Sequence, residues 1–318
     1  MSNDDLEKMI LSVLQIFIWD IIFGVKDSLS GWWVALKCWR DEARLISNRP
    51  SPPKRFSEIA KKRNEQLKKQ EPEGTMKDII WNTVTTAGVA LLITFLIQSG
   101  CSYIGSFFGD SFASSFAISE YILHFLWWFP SMAVIKLTSI INNNEVADKV
   151  FAFKYGKPKS TSIGTNISEF IFSSIYQFIF IIQASIVCAM IPWAWLAGLF
   201  EWLHYSLFYA LYAFEYKWAL LGIPGYTRVA HLENNWPYYL AFGLPIHLAV
   251  GYWESLYTRT MAFTLIFPFS ILGATAAGPP RELFLFPLHL MFPAVYVTNE
   301  MYKLFGRTSS SSKVPKSS

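Results

Sequence analysis

The chain has 318 residues, of which 53% are hydrophobic, 17% aromatic and only 16% charged, with a net charge of +4. Soluble domains carry roughly 25% charged residues, so this composition excludes a disordered chain, a fibrous repeat and a nucleic-acid binder driven by net charge. The long apolar runs predict an all-α, polytopic integral membrane bundle instead.

Asp4, Asp5 and Glu7 make the N-terminus acidic where a cleaved signal needs positive charge, so the first residues are expected to be retained. Met9 to Val25 is apolar but interrupted by Ser12, Gln15 and Asp20. From Trp19 the pattern is amphipathic. Asp20, Gly24, Asp27 and Gly31 form a small or polar stripe, with Trp19, Ile22, Phe23, Leu29, Trp33 and Leu36 largely on the other side. That stripe favours an N-terminal helix over residues 1–40 lying in the membrane interface, rather than a spanning one.

Residues 41–78 read as a basic cytoplasmic linker. Pro50, Pro52 and Pro53 open its proline-rich part, and Lys61-Lys62-Arg63 and Lys68-Lys69 follow. It is either a solvated arm or an arm held to anionic lipid, where each basic residue contributes about 1 kcal/mol.

Residues 79–305 read as a multi-pass membrane domain. Five strong apolar segments run Ile79 to Cys101, Ile118 to Ile141, Phe170 to Ile191, Trp193 to Phe214 and Trp236 to Trp253. The third and fourth make a tight hairpin at Pro192. Two further segments, Thr260 to Ala277 and Leu283 to Phe305, are interrupted by Pro268, Pro287 and Pro293. Lys and Arg crowd the linker, the Lys149-to-Lys159 loop, the loop with Lys217 and Arg228, and the tail from 306 to 318. The Gly100 to Ser119 loop and the Pro192 turn have none, so both termini are expected in the cytoplasm and the tail is expected to be disordered. An even number of crossings then requires one segment to be re-entrant or partial, and the proline-broken pair near the C-terminus is the best candidate. The sequon Asn166-Ile167-Ser168 falls on the cytoplasmic side and is expected to carry no glycan.

Ionisable residues inside spans default to functional candidates. They include Lys136, Glu201, His204 and Glu254, together with His124, Glu215 and His247. Glu201 and His204 have the Glu-x-x-His spacing of half a di-iron site, but the other half is absent, so interhelical hydrogen bonding is the simpler role. The three cysteines are isolated, and no P-loop, dinucleotide fingerprint, nucleophile elbow or zinc spacing occurs. No catalytic group, metal or cofactor is expected. Tyr205, Tyr209, Tyr212, Tyr216 and Trp218 line the fourth segment. With Trp193, Trp195, Trp202, Trp236, Tyr238 and Tyr239 they read mostly as headgroup anchors, with Tyr205 and Tyr209 packed deeper.

The stretch Tyr212 to Trp218, with Phe214, Glu215, Tyr216, Lys217 and Trp218, continues into Leu232 to Pro245, with Glu233, Asn235, Trp236, Pro237 and Pro245. Gly24-Val25-Lys26-Asp27-Ser28, Trp128-Phe129-Pro130, Val146-Ala147-Asp148 and Lys157-Pro158 occur in the matching order. On these residues the sequence resembles the etoposide-induced protein 2.4 family, which includes the ectopic P granules type autophagy proteins and is related in fold to the CysZ sulfate permeases. It departs from that family in a more apolar N-terminal helix and in the proline-rich region after Gly278. The resemblance implies a multi-pass endoplasmic-reticulum protein needed for autophagosome formation and maturation, with membrane lipids and other autophagy or Bcl-2-type membrane proteins as partners. Apoptosis is a second association it implies.

In physical terms, Glu215, Lys217, Arg228, Glu233 and Asn235 are expected to form one polar cluster pinning the loop. Glu233 lies where a carboxylate suits the positive end of the next helix, and Pro237 lies in that helix's first turn. Three functions stay open: non-enzymatic action on membrane shape, lipid supply or partner recruitment; a CysZ-like anion transporter or lipid conduit using Lys136, Arg259 and Arg281; and a metal-dependent membrane enzyme at Glu201 and His204.

Overall fold

A computed structural model describes residues 3–47, 75–108, 163–280 and 284–311, with residues 143, 147, 148, 150, 151 and 154–156 between them. Lys136, His124 and the 118–141 segment lie outside the described residues, as does most of the linker. The described residues form helices and irregular connections, with no strand among them. The helices are α1 (Asn3–Ser47), α2 (Thr75–Phe108), α3 (Ile163–Met190), α4 (Ala194–Leu220), α5 (Gly225–Asn234), α6 (Trp236–Gly251), α7 (Leu256–Ala276) and α8 (Phe292–Ser311).

The breaks fall where the backbone chemistry requires. Pro192 lacks an amide hydrogen and disfavours helical geometry before it, so α3 ends at Met190 and α4 starts at Ala194. Gly222 has φ +69°, and Gly222 N–H to Ala219 O and Ile223 N–H to Trp218 O, both 2.9 Å, close α4 in a Schellman motif. Pro268 lies inside a continuous α7 rather than breaking it. The last segment begins at Phe292, nine residues later than read from sequence, because Pro293 fits a helix's first turn while Pro287 does not fit its interior.

Asp5–Asp41 of α1, Ile171–Met190 of α3 and Thr258–Ala276 of α7 are long and apolar enough to cross a membrane. α6 has 16 residues and carries Pro245 inside it, just under the length that spans about 30 Å of hydrocarbon.

The chain divides into two compact units. The first comprises Met1–Leu29, Pro158–Glu254 and Ala277–Ser318. Within it α4 and α6 run antiparallel, because Trp218 meets Tyr239, Phe214 meets Phe242 and Tyr209 meets His247. Their contact is close. An ideal Cβ on Gly243 would stand 1.8 Å from Ser206 O, so only glycine permits this spacing. Phe214, Leu207, Leu211, Phe242 and Ile246 fill the core with Tyr176 and Phe180 of α3.

The second unit comprises Ser30–Lys157 and Ser255–Ala276. Gly31 abuts the Phe269 carbonyl, and Trp32 stacks on the Phe269 ring at 3.6 Å. Ala35, Val150 and Leu272 form its described core, and Lys154 Nζ donates to Ala276 O. α2 packs against α7.

In α1 the stripe of Asp20, Gly24 and Gly31 is buried, while Trp19, Ile22, Leu29, Trp33 and Leu36 are exposed. The small and polar side is therefore packing surface against protein, and the apolar side faces out.

Candidate functional site

The motif residues of the 212–245 block gather around α5. Gly225 N–H, at the start of α5, donates to Glu169 Oε2 of α3 at 2.7 Å, which places a carboxylate at the positive end of the helix. Arg228, one turn on and buried, donates through Nε to Ile223 O at 2.7 Å. Its guanidinium also lies 3.7 Å from Glu169 Oε2 and 3.9 Å from Glu215 Oε1. Glu215 is likewise buried and accepts from Gln177 Nε2 at 2.8 Å, and Gln177 also reaches Ser173 Oγ at 3.0 Å. Buried ions persist only when paired and hydrogen-bonded, and here every charge meets an opposite charge or a dipole.

Lys217 is turned elsewhere. Its Nζ donates to Ala277 O at 2.6 Å and lies 5.6 Å from the Phe214 ring centre. Glu233 does not serve α6, whose start has no side-chain cap. Its Oε1 accepts Met291 N–H at 3.0 Å and its Oε2 meets His289 Nδ1 at 3.2 Å, so the carboxylate sits at the entrance to α8. The backbone completes this dock. Leu288 N–H donates to Glu233 O at 3.0 Å and Phe284 N–H to Asn234 O at 3.1 Å, and Trp236 Nε1–H donates to Phe286 O at 3.0 Å. Asn235 Nδ2 closes locally on His231 O at 3.0 Å. The expected single cluster is therefore three separate anchors, because Arg228 and Glu233 lie at opposite ends of α5 and Lys217 on α4 turns to Ala277.

The N-terminal motif forms a fourth anchor. Asp27 Oδ2 accepts from Tyr238 O–H at 2.8 Å. An ideal Cβ on Gly24 would lie 2.3 Å from Tyr238 O and 2.8 Å from the Ala241 Cβ, so α1 and α6 touch there through backbone. Lys26 is exposed, with its Nζ 5.6 Å from the Phe23 ring centre. Pro237 is buried in the first turn of α6, and Pro245 is half-buried.

The remaining polar candidates do not converge. His204 is buried, stacked on Phe180 at 5.4 Å, with Nδ1 2.7 Å from Phe200 O. Glu201 is exposed on another side of α4, and Glu254 is exposed in the turn after α6. Among the described residues no group of three His, Cys, Asp or Glu is placed to hold a metal. Tyr212, Tyr216, Trp218, Tyr238 and Tyr239 are buried core rather than headgroup anchors, whereas Trp193, Trp195 and Trp202 are exposed as anchors would be. Sequence reasoning missed Glu169, Ser173, Gln177 and His289. Glu169, a lone acid at the edge of an apolar run, was the one visible signal.

A protein-family model described as sulfate transporter CysZ/etoposide-induced protein 2.4 matches residues 74–252. The chain is similar to Ectopic P granules protein 4 of Caenorhabditis elegans, 24% identical over 84% of this chain and 85% of the relative. It is similar to Protein EI24 homolog of Arabidopsis thaliana, 30% identical over 36% of this chain and 35% of that one. The Dictyostelium discoideum homolog of the same name is 25% identical over 50% of this chain and 52% of its own. No solved structure matches.

Proposed function

We propose, because the chain belongs to the sulfate transporter CysZ/etoposide-induced protein 2.4 family, that it is a non-enzymatic, multi-pass endoplasmic-reticulum membrane protein required for autophagosome formation and maturation. The nematode relative that spans most of the chain is named for ectopic P granules, and the motif resemblance carries the autophagy association. Both termini lie in the cytoplasm on this reading, and the protein acts through membrane shape, lipid supply or recruitment of other membrane proteins.

The observation that carries a scaffold role is the engagement of Arg228. Its guanidinium is held by Glu169, Glu215 and the Ile223 carbonyl, and Lys217 is held by the Ala277 carbonyl. The cations of the 212–245 block are spent inside the fold, so this block supports a rigid brace better than an anion site. Removing the gene is expected to stall autophagosomes at an immature stage. Normal autophagic flux without it contradicts the reading.

A second reading, an anion transporter or lipid conduit, draws support from the sulfate-transporter half of the family description and from Pro245 and Pro268 inside α6 and α7, since a proline within a helix leaves a backbone carbonyl without its usual partner. Its candidate contacts were Lys136, Arg259 and Arg281; of these Arg259 is described, exposed in the first turn of α7. Sulfate flux or lipid scrambling in proteoliposomes of the folded chain favours this reading, and their absence counts against it.

A further inference from the structure

α1 is 45 residues long. At 1.5 Å per residue that is roughly 68 Å, more than twice the hydrocarbon thickness of about 30 Å. One or both of its ends must therefore leave the hydrocarbon. Its C-terminal third is chemically distinct. Trp33, Lys37, Arg40 and Arg44 follow the spacing i, i+4, i+7 and i+11, which places them in one line along a helix. All four are exposed, Trp33 by 76%. Leu36, also exposed, lies beside the line, and the exposed Trp39 lies further round on the same side. Asp41 lies beside the line and meets Arg44 at 4.0 Å, an open ion pair of the kind that contributes about 0–1 kcal/mol. The opposite side of this stretch is occupied, with Gly31 and Ala35 packed against Phe269 and Leu272.

An outward line of basic residues interleaved with tryptophan and leucine matches a bilayer surface. Tryptophan prefers the headgroup level, and Lys and Arg beside it meet lipid phosphate and carboxylate. We propose that the Trp33, Lys37, Arg40 and Arg44 line of α1 binds the headgroups of anionic phospholipid at the membrane surface. This surface is separate from the brace around α5, and it stands whether or not the autophagy reading holds.

The full chain in phosphatidylcholine nanodiscs, doped with photoactivatable phosphatidylserine or photoactivatable phosphatidylcholine, tests it by mapping crosslinked peptides. Each basic residue near an anionic surface favours the charged lipid about fivefold. The serine lipid should label residues 33–44 well above the choline lipid. The triple variant K37Q/R40Q/R44Q should lose roughly tenfold or more of that preference, while Lys8→Gln keeps it. Equal labelling by the two lipids, or a preference that survives the triple substitution, overturns the proposal. Should the triple variant fail to reconstitute, a salt series on the unmodified chain serves. The preference should fall as ionic strength rises from about 0.05 M to about 0.5 M, and a salt-insensitive preference overturns the proposal.

Discussion

Tyr238 donates its hydroxyl to Asp27 at 2.8 Å across 211 residues of sequence. The bond joins two of the stretches on which the family resemblance rests. Its geometry explains why Gly24 accompanies Asp27, since the helix must come close enough for the carboxylate to reach. Hydrogen bonds to charged groups contribute about 1.5–3 kcal/mol. Tyr238→Phe should therefore lower the melting temperature of the purified protein, and Asp27→Asn should cost less in the Tyr238→Phe background than by itself, because the two changes share this bond. Fully additive losses would show that the two residues act apart.

The glycines separate into two kinds. Gly24 and Gly243 lie against backbone at Tyr238 and Ser206, whereas a Cβ on Gly198 meets nothing within 4 Å. Gly24→Ala and Gly243→Ala should force helices apart and reduce the yield of folded protein. Gly198→Ala should be neutral or stabilising by about 1 kcal/mol, the usual helix gain over glycine. Size-exclusion profiles and melting curves of the three variants distinguish these outcomes.

Arg228 is the test of the brace. Arg228→Ala leaves Glu215 and Glu169 without their cation, and breaking a buried pair costs about 3–5 kcal/mol. Replacing Arg228 and Glu215 together by Met and Leu should cost less than Arg228→Ala alone, because no charge is stranded at Glu215. A double replacement worse than the single change would argue against the pairing seen here.

Glu233 docks the segment from 284 to 291 through Met291 and His289. Glu233→Ala should expose that segment to limited proteolysis, with new cleavage between Phe284 and Met291. His289→Ala should change the pattern little, because His289 is 67% exposed and open ion pairs contribute about 0–1 kcal/mol.

Much of the architecture was legible because hydropathy, proline and glycine act locally. The Pro192 hairpin, Pro237 in the first turn of α6 and the apolar course of α3 all follow from neighbours in sequence. α5 was not legible as a helix. Its ten residues are too polar for a span, and its start is set by Pro224 and by a carboxylate 56 residues away. The α1 stripe was legible as a small and polar side, but its packing against Tyr238 and Phe269 was not, since periodicity cannot say whether such a side faces water or another helix. Glu233 was read as the carboxylate for the start of α6, and it serves the start of α8 instead. Which helix it served depended on a chain fold that brings Met291 beside it.

On the proposed function, this member of the family serves autophagosome formation and maturation. Autophagic flux in cells lacking the gene, with and without the full chain restored, tests it most directly. Immature autophagosomes should accumulate without the gene, and the restored chain should relieve the block. Flux that is normal without the gene, or a block that the chain does not relieve, would contradict it.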